Sequence, residues 1–236
     1  MPDFARLAPM TTARRQFVEL NHVVRAGMVT YPGLPAPTVT PHLTREASRA
    51  VYGPGTEFAM DVISMIGNTG TYLDAPYHRF GDGIDLAGLP LERLVDLPAL
   101  VVPLVTQRVA DAALLATALG ELDVAGAAVL LHSADDARFG TPEYALEAAF
   151  LTRDGAEWLV ERRAALVGID AINIDDTSDP LRPAHTVLLR AGIPVVEHLT
   201  GLQRLPSRGA RFTAVPPRVA EFGTFPVRAF AVVDVA

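Results

Sequence analysis

Two compact apolar runs, residues 127–132 (AAVLLH) and 166–169 (LVGI), constrain the fold of this chain most. Each has the length and continuity of a strand buried on both faces. Between them lies the strongest helix signal in the sequence. Thr152 suits an N-cap, Asp154 and Glu157 supply acid to the first turns, and Ala156, Leu159, Val160 and Arg163 follow at helical spacing. Strand and helix signals in one chain predict an α/β domain with helices packed on a sheet. Weaker signals extend the pattern: strands at 17–24, 58–66 and 227–235, helices at 86–94 and 111–119, and helical character toward the end of 139–150. Pro103 interrupts the run 100–105, which predicts an edge or bulged strand there.

At 236 residues, half of them hydrophobic, the chain has the material for one domain with a sizeable core. No apolar run approaches the length that spans a bilayer, so no membrane partner is expected. Residues 1–16 carry Arg6, Arg14 and Arg15 without an apolar centre and read as an arm ahead of a domain at 17–236. Cysteine is absent, which excludes disulfides, zinc–thiolate clusters and thiol nucleophiles and is compatible with the cytoplasmic location we expect. The net charge is -7, with both signs interspersed, and nucleic acid is therefore not the expected partner. A small molecule is.

The chemistry concentrates in residues 68–80 (NTGTYLDAPYHRF). Gly70 permits a left-handed turn, and Pro76 biases Ala75 away from helix. Asp74 and His78 are thus held in a constrained loop or strand-to-helix junction. A carboxylate and an imidazole this close can hold a metal or share a proton, although Asp ahead of a proline turn also serves as an ordinary cap.

Here the stretch resembles a known signature, His-x-Gly-Thr-His-x-Asp-x-Pro-x-His, that of the cyclase family containing bacterial kynurenine formamidase and isatin hydrolase. Gly70, Thr71, Asp74, Pro76 and His78 match in register, while Asn68 and Tyr72 replace the two leading histidines. Ala184-His185 with Leu188-Leu189, then Ile193-Pro194 and Glu197, match the second signature. Phe225-Pro226-Val227-Arg228-Ala229 resembles the closing Ser-Pro-x-Arg-Ala, and Gly27-Met28 with Tyr31-Pro32-Gly33 an early Gly-Met-x-x-Trp-Pro-Gly. The resemblance runs in one order from residue 17 to the C-terminus. It implies a single domain of the swivelling β/β/α type with a mixed sheet, a homodimer or homotetramer, and hydrolysis or ring closure at a small amide, lactam or ester carbonyl. It also implies Asp74, His185 and Glu197 as ligands of a divalent ion, zinc or manganese, with His78 as general acid and base. Tyr31, Asn68 and Phe80 become candidate substrate contacts.

The two replaced histidines leave the chemistry open. An amide oxygen is a weak zinc ligand, and a phenol must lose a proton of pKa near ~10 to bind well. Asp74, His185 and Glu197 can still form a three-ligand site. Alternatively Tyr72 is itself catalytic, donating to an oxyanion or acting as an acid beside Asp74 and His78 in a metal-free reaction such as dehydration or isomerisation. A pocket that binds without turnover is a third reading. Among the other polar residues, His198 falls on the opposite face from Glu197 if both lie in one strand. His132 reads as a core or rim residue, His22 as a rim residue and His42 as exposed, while Asp170, in a Gly-Ile-Asp that the family also shows, is either structural or a support for the site residues. Arg79 is either a surface charge or a contact for an acidic substrate.

Overall fold

The structure, a computed structural model, describes residues 14–235. Among the described residues, thirteen strands and four α-helices appear in chain order. The strands are β1 (Arg14–Glu19), β2 (Thr38–Leu43), β3 (Met60–Ser64), β4 (Tyr72–Asp74), β5 (Leu97–Pro103), β6 (Val109–Ala110), β7 (Ala128–His132), β8 (Phe150–Leu151), β9 (Leu166–Ile169), β10 (Val195–Glu197), β11 (Arg208–Thr213), β12 (Thr224–Pro226) and β13 (Phe230–Val235). The helices are α1 (Arg45–Ser48), α2 (Ala112–Leu119), α3 (Arg153–Glu161) and α4 (Pro183–Arg190).

Nine strands form one mixed sheet in the order β1-β13-β11-β5-β7-β9-β10-β4-β12. Its centre, β5-β7-β9-β10, is parallel, and the strands on either side are antiparallel. The apolar runs that seeded the sequence reading are the middle of this sheet. Alternation along them sorts two cores. Val129, Leu131, Val167 and Ile169 pack with Leu115, Leu159 and Leu188 of α2, α3 and α4. Leu130, Leu166 and Val196 face the other way. There they meet Val18, Phe212 and Ala231 from one end of the sheet and Leu73 from the other, so the sheet curls around its second core.

Local chemistry accounts for the helix ends. Asp111 accepts from the Leu114 amide at 2.7 Å, and Thr152 from that of Gly155 at 3.2 Å. Other expectations need correction. The run containing Pro103 is an interior strand, not an edge: β5 lies between β11 and β7, its prolines sit at its second and last positions, and the bulge falls on β11 between Arg208 and Ala210. The strand expected at 17–24 begins at Arg14 and ends at Glu19, so the end of the expected arm pairs with β13; residues 1–13 lie outside the described residues. Residues 58–66 hold β3, which pairs only with β2 in a separate ribbon. The helices expected at 86–94 and 139–150 shrink to 3-10 turns at Leu91–Arg93 and Pro142–Ala145.

One buried carboxylate ties the helical side to the loops. Asp135 is 1% exposed and takes both Arg108 Nη2 contacts (2.6 and 2.8 Å), the Ala149 amide (3.0 Å) and the Arg138 guanidinium. Burial alone would raise its pKa, but Arg108, the Ala149 amide and Arg138 outweigh it and hold the carboxyl below its usual range. A depressed carboxylate contributes stability that is present above the unfolded value of ~4 and lost as pH falls through the native one. Asp135→Asn should therefore cost about 3 kcal/mol at pH 7 in urea unfolding. The gap from wild type should close as the pH is lowered below ~4.

Candidate active site

Strand register builds the site. In β4, Tyr72 and Asp74 point to one face and Leu73 to the other, into the second core. β10 pairs Glu197 with Tyr72, and β12 pairs Thr224 with Asp74. Both pairs are hydrogen-bonded through their side chains. Tyr72 donates its hydroxyl to Glu197 Oε2 at 2.6 Å, and Thr224 Oγ1 donates to Asp74 Oδ1 at 2.5 Å. Gly70 adopts the left-handed conformation its sequence context suggests, φ 65°, and its amide donates to Thr30.

His185 arrives from the first turn of α4. Asp175 accepts from the Ala184 and His185 amides at 2.5 and 3.2 Å and from His185 Nδ1 at 2.6 Å. One carboxylate thus caps the helix and fixes the ring with Nδ1 protonated and Nε2 inward. Nε2 lies 3.5 Å from Asp74 Oδ2 and 3.6 Å from Glu197 Oε1. His78 follows β4 on the 3-10 turn Pro76–His78 and is the exposed member of the group. Its Nδ1 sits 2.7 Å from Thr224 Oγ1. The threonine proton is used on Asp74, so Nδ1 carries a proton to the threonine oxygen and Nε2 holds a free lone pair. Gly223 makes this turn possible: a Cβ there would lie 2.5 Å from the His78 backbone nitrogen and Cα.

A cavity of about 480 Å³ opens over these groups. Tyr72, His78, His185 and Glu197 line its chemical end, with Asn68, Asn173, Arg79, Arg182 and the segment Tyr31–Leu34 around them. Of the three expected substrate contacts, Tyr31 and Asn68 are part of this lining. Phe80 is not. It lines a separate, smaller cleft with Pro76, Ile84 and Leu189, under the guanidinium of Arg190 at 3.7 Å from the ring centroid.

The geometry has counterparts in known proteins. The family described as Cyclase, putative cyclase, matches residues 18–176, over half the chain. The chain belongs to the cyclase family. This cyclase is 28% identical to the kynurenine formamidase of Paracidovorax citrulli (strain AAC00-1) over 227 residues, covering 93% of the chain and 97% of the relative. It is 29% identical to the isatin hydrolase of Roseibium aggregatum over 77% of the chain and 78% of the relative. A crystal structure of an isatin hydrolase bound to the product analogue thioisatinate shares its fold, with TM-score 0.79, 23% identity and coverage of 94% and 93%. It is a cyclase-family hydrolase with the mixed-sheet α/β domain expected for that family.

The departures of this cyclase from the family signature have a structural consequence. Tyr72 is 2% exposed, and burial together with the Glu197 and Asp74 carboxylates raises its pKa well above that of a free phenol. It stays neutral and donates. Its oxygen accepts in turn from His198 Nε2 at 3.3 Å, and Tyr144 reaches His198 Nδ1 at 2.9 Å. Burial, and secondarily His22, pushes His198 down to about 3, so the imidazole is neutral. Its single proton is then on Nε2, with Tyr144 donating to Nδ1. The chain Tyr144–His198–Tyr72–Glu197 fixes the glutamate from behind. This corrects the expectation for His198: the residue leaves strand geometry at φ 56°, which cancels the alternation argument and brings its ring to 5.1 Å from that of Tyr72.

Thr224, Asp175 and Tyr144 were not read from the sequence. Asp175 belongs to the acidic loop 170–176, whose spacing points to no ligand set, and Thr224 precedes the closing motif by one residue. Neither carries a local signal, because each becomes meaningful only through a distant partner. Asp170 is structural: it accepts from the Ser133 amide and hydroxyl, both at 2.6 Å. His22 stacks on Phe139 at 3.7 Å, His42 is exposed, and His132 lies at the Asp170 end of β7; none lines the cavity.

Among the described residues, Asp74, His185 and Glu197 present ligand atoms within 4.8 Å of one another. Their chemistry fits a divalent ion. Asp74 Oδ2 is buried with no hydrogen-bond partner, His185 Nε2 is oriented by a carboxylate on its other nitrogen, and Glu197 Oε1 keeps a lone pair beyond the one used by the Ile174 amide at 2.6 Å. The 3.5 and 3.6 Å separations match the edge of a tetrahedron with ligands at ~2.0–2.2 Å, roughly 3.3–3.6 Å. Without an ion, burial opposes charge on His185, but Glu197, Asp175 and Asp74 override it and lift the imidazole to about 10. Burial pushes Glu197 up to about 7. An ion would take the place of the His185 proton.

Proposed function

We propose that this hydrolase cleaves a small amide or lactam, or a reactive ester, with one divalent ion, zinc or manganese, held by Asp74, His185 and Glu197. The observation that carries the reading is the convergence of three ligand atoms from β4, α4 and β10, one of them a buried carboxylate oxygen with no other partner. When bound, such an ion supplies Lewis-acid chemistry, polarising a carbonyl and making water more acidic. The chain's own residues do the rest. His78 lines the cavity, its Nε2 3.7 Å from Asp74 Oδ1 and free of a hydrogen bond, and takes a proton from water and returns one to the leaving group. Thr224, anchored on Asp74, keeps His78 in the tautomer this needs. Asp175 aims His185, and Tyr72 with His198 and Tyr144 holds Glu197 in place.

A metal-free reaction through Tyr72 is less well supported, because its hydroxyl proton is committed to Glu197 and the ring is buried. The test is a panel of aryl formamides, lactams and aryl esters assayed with zinc or manganese present. Hydrolysis of amides or lactams that chelation abolishes and either ion restores would support the reading. Activity indifferent to chelation would contradict it.

The same reading includes a homo-oligomer, dimer or tetramer. The ribbon of β2 and β3 is separate from the main sheet, and Val39 and Ile63, paired across it on one face, are 48 and 57% exposed. Contiguous apolar exposure of this kind marks an interaction surface. Ile63→Asp should shift the mass measured by light scattering toward the monomer while wild type elutes as a multiple of it.

A further inference from the structure

Two guanidinium groups, those of Arg79 and Arg182, line the cavity together with the catalytic side chains. They come from distant parts of the chain, yet each is fixed to the machinery by its backbone. Arg79 ends the 3-10 turn that carries His78, and Arg182 precedes α4, three residues before His185. Among the described residues neither makes an ion pair with a carboxylate, whereas Arg108, Arg138, Arg211 and Arg228 do. Arg182 spends one N–H on the Asp176 carbonyl at 2.9 Å, which braces the side chain and leaves its other donors unassigned. The guanidinium carbon of Arg79 lies 5.5 Å from the Phe80 ring centroid. The acids nearest the reacting centre do not neutralise them, since Glu197 and Asp74 are buried and turned to Tyr72, Ile174, Thr224 and His185.

In a chain of net charge -7, a cavity bearing two cations outside any salt bridge runs against the average field, although the Asp176 carboxylate lies near enough to feel Arg182. Arginine is also the side chain whose fork matches a carboxylate. The lining also includes Tyr31, Pro32 and Leu34, which suit a flat apolar body. We infer that Arg79 and Arg182 are specificity-determining residues, and that the substrate carries a carboxylate in addition to the bond that is cleaved. The inference rests on the hydrolase reading for the bond but not for the carboxylate.

The test uses two probes that differ by one group and carry no hydrolysable bond, 3-acetylbenzoate and 1,3-diacetylbenzene, titrated calorimetrically into zinc-loaded protein. Wild type should bind the carboxylate at least ~10-fold tighter, a preference of the size one desolvated charge pair gives. That ratio should fall to about 1 in Arg79→Ala/Arg182→Ala, with the diketone affinity changed by less than ~2-fold. Arg182→Gln, which retains a donor for Asp176, should reproduce most of the single-site loss if Arg182→Ala unsettles the loop. A wild type without preference, or a preference that survives in the double variant, would overturn the inference. If the preference follows the arginines but no amide, lactam or ester is turned over, the carboxylate site stands and the hydrolase reading falls.

Discussion

Replacing His185 by alanine is expected to lower turnover by roughly 10³-fold, the scale on which loss of a group stabilising charge in the transition state is felt. The reason is local. His185 Nε2 is the one nitrogen facing Asp74 Oδ2 and Glu197 Oε1, and removing it leaves two buried carboxylates without the group between them. The same change should destabilise the ion-free protein by about 3–5 kcal/mol, because a buried charge cluster loses its cation. His185→Gln separates the two effects, since it fills the space and donates a hydrogen bond while binding metal poorly. It should match the alanine variant in turnover and exceed it in urea midpoint. Asp175→Asn makes the complementary test. The ring stays, but its orienting carboxylate is gone, and metal affinity should fall ~10–100-fold. Wild-type turnover in either His185 variant would remove this residue from the mechanism.

The second large effect belongs to His78. His78→Ala should cut kcat by at least ~100-fold, the usual contribution of a positioned acid–base group. It should leave metal content and thermal midpoint near wild type, because the side chain is 36% exposed and not a member of the ligand group. Thr224→Val tests whether the tautomer matters. With the hydroxyl gone, Nδ1 loses its acceptor and Asp74 Oδ1 its donor. An intermediate loss of kcat with an altered pH profile is the expected result. Full activity in His78→Ala on a substrate the wild type hydrolyses would place the proton transfer elsewhere.

Much of this arrangement is legible in the sequence, and the limits are physical. Runs such as 127–132 and 166–169 identify themselves because a strand buried on both faces needs uninterrupted apolar residues. Helix starts at Asp111 and Thr152 do so because the capping chemistry is local. The positions of Asp74, His185 and Glu197 follow from matched motifs. What those motifs do not contain is register. That Glu197 stands opposite Tyr72, and Thr224 opposite Asp74, depends on three short strands from distant parts of the chain meeting at one end of the sheet. Hence Thr224 and Asp175 escape notice, although they set the tautomers of both histidines. Pro103 misleads for a related reason: a proline at the last position of a strand costs the ladder little, and sequence alone does not say where the strand ends. His198 misleads because alternation holds only while the backbone remains extended, and it turns left-handed at that residue. Phe80 shares a motif with His78 but not a cavity, because the chain turns between them.

The replaced histidines also acquire a definite meaning. Tyr72 does not imitate an imidazole; it occupies its place as a neutral donor and braces Glu197, backed by His198 and Tyr144. On the proposed reading, Asp74, His185 and Glu197 suffice for one ion with an open position.

The measurement that bears most directly on this account is the metal content of protein purified without chelator or nickel affinity, determined by mass spectrometry for wild type and Glu197→Ala. The account predicts about one zinc or manganese per wild-type chain after equilibration with the ion, and a large loss in the variant. No bound ion in wild type after incubation with zinc and with manganese, or one that Glu197→Ala retains undiminished, would contradict it.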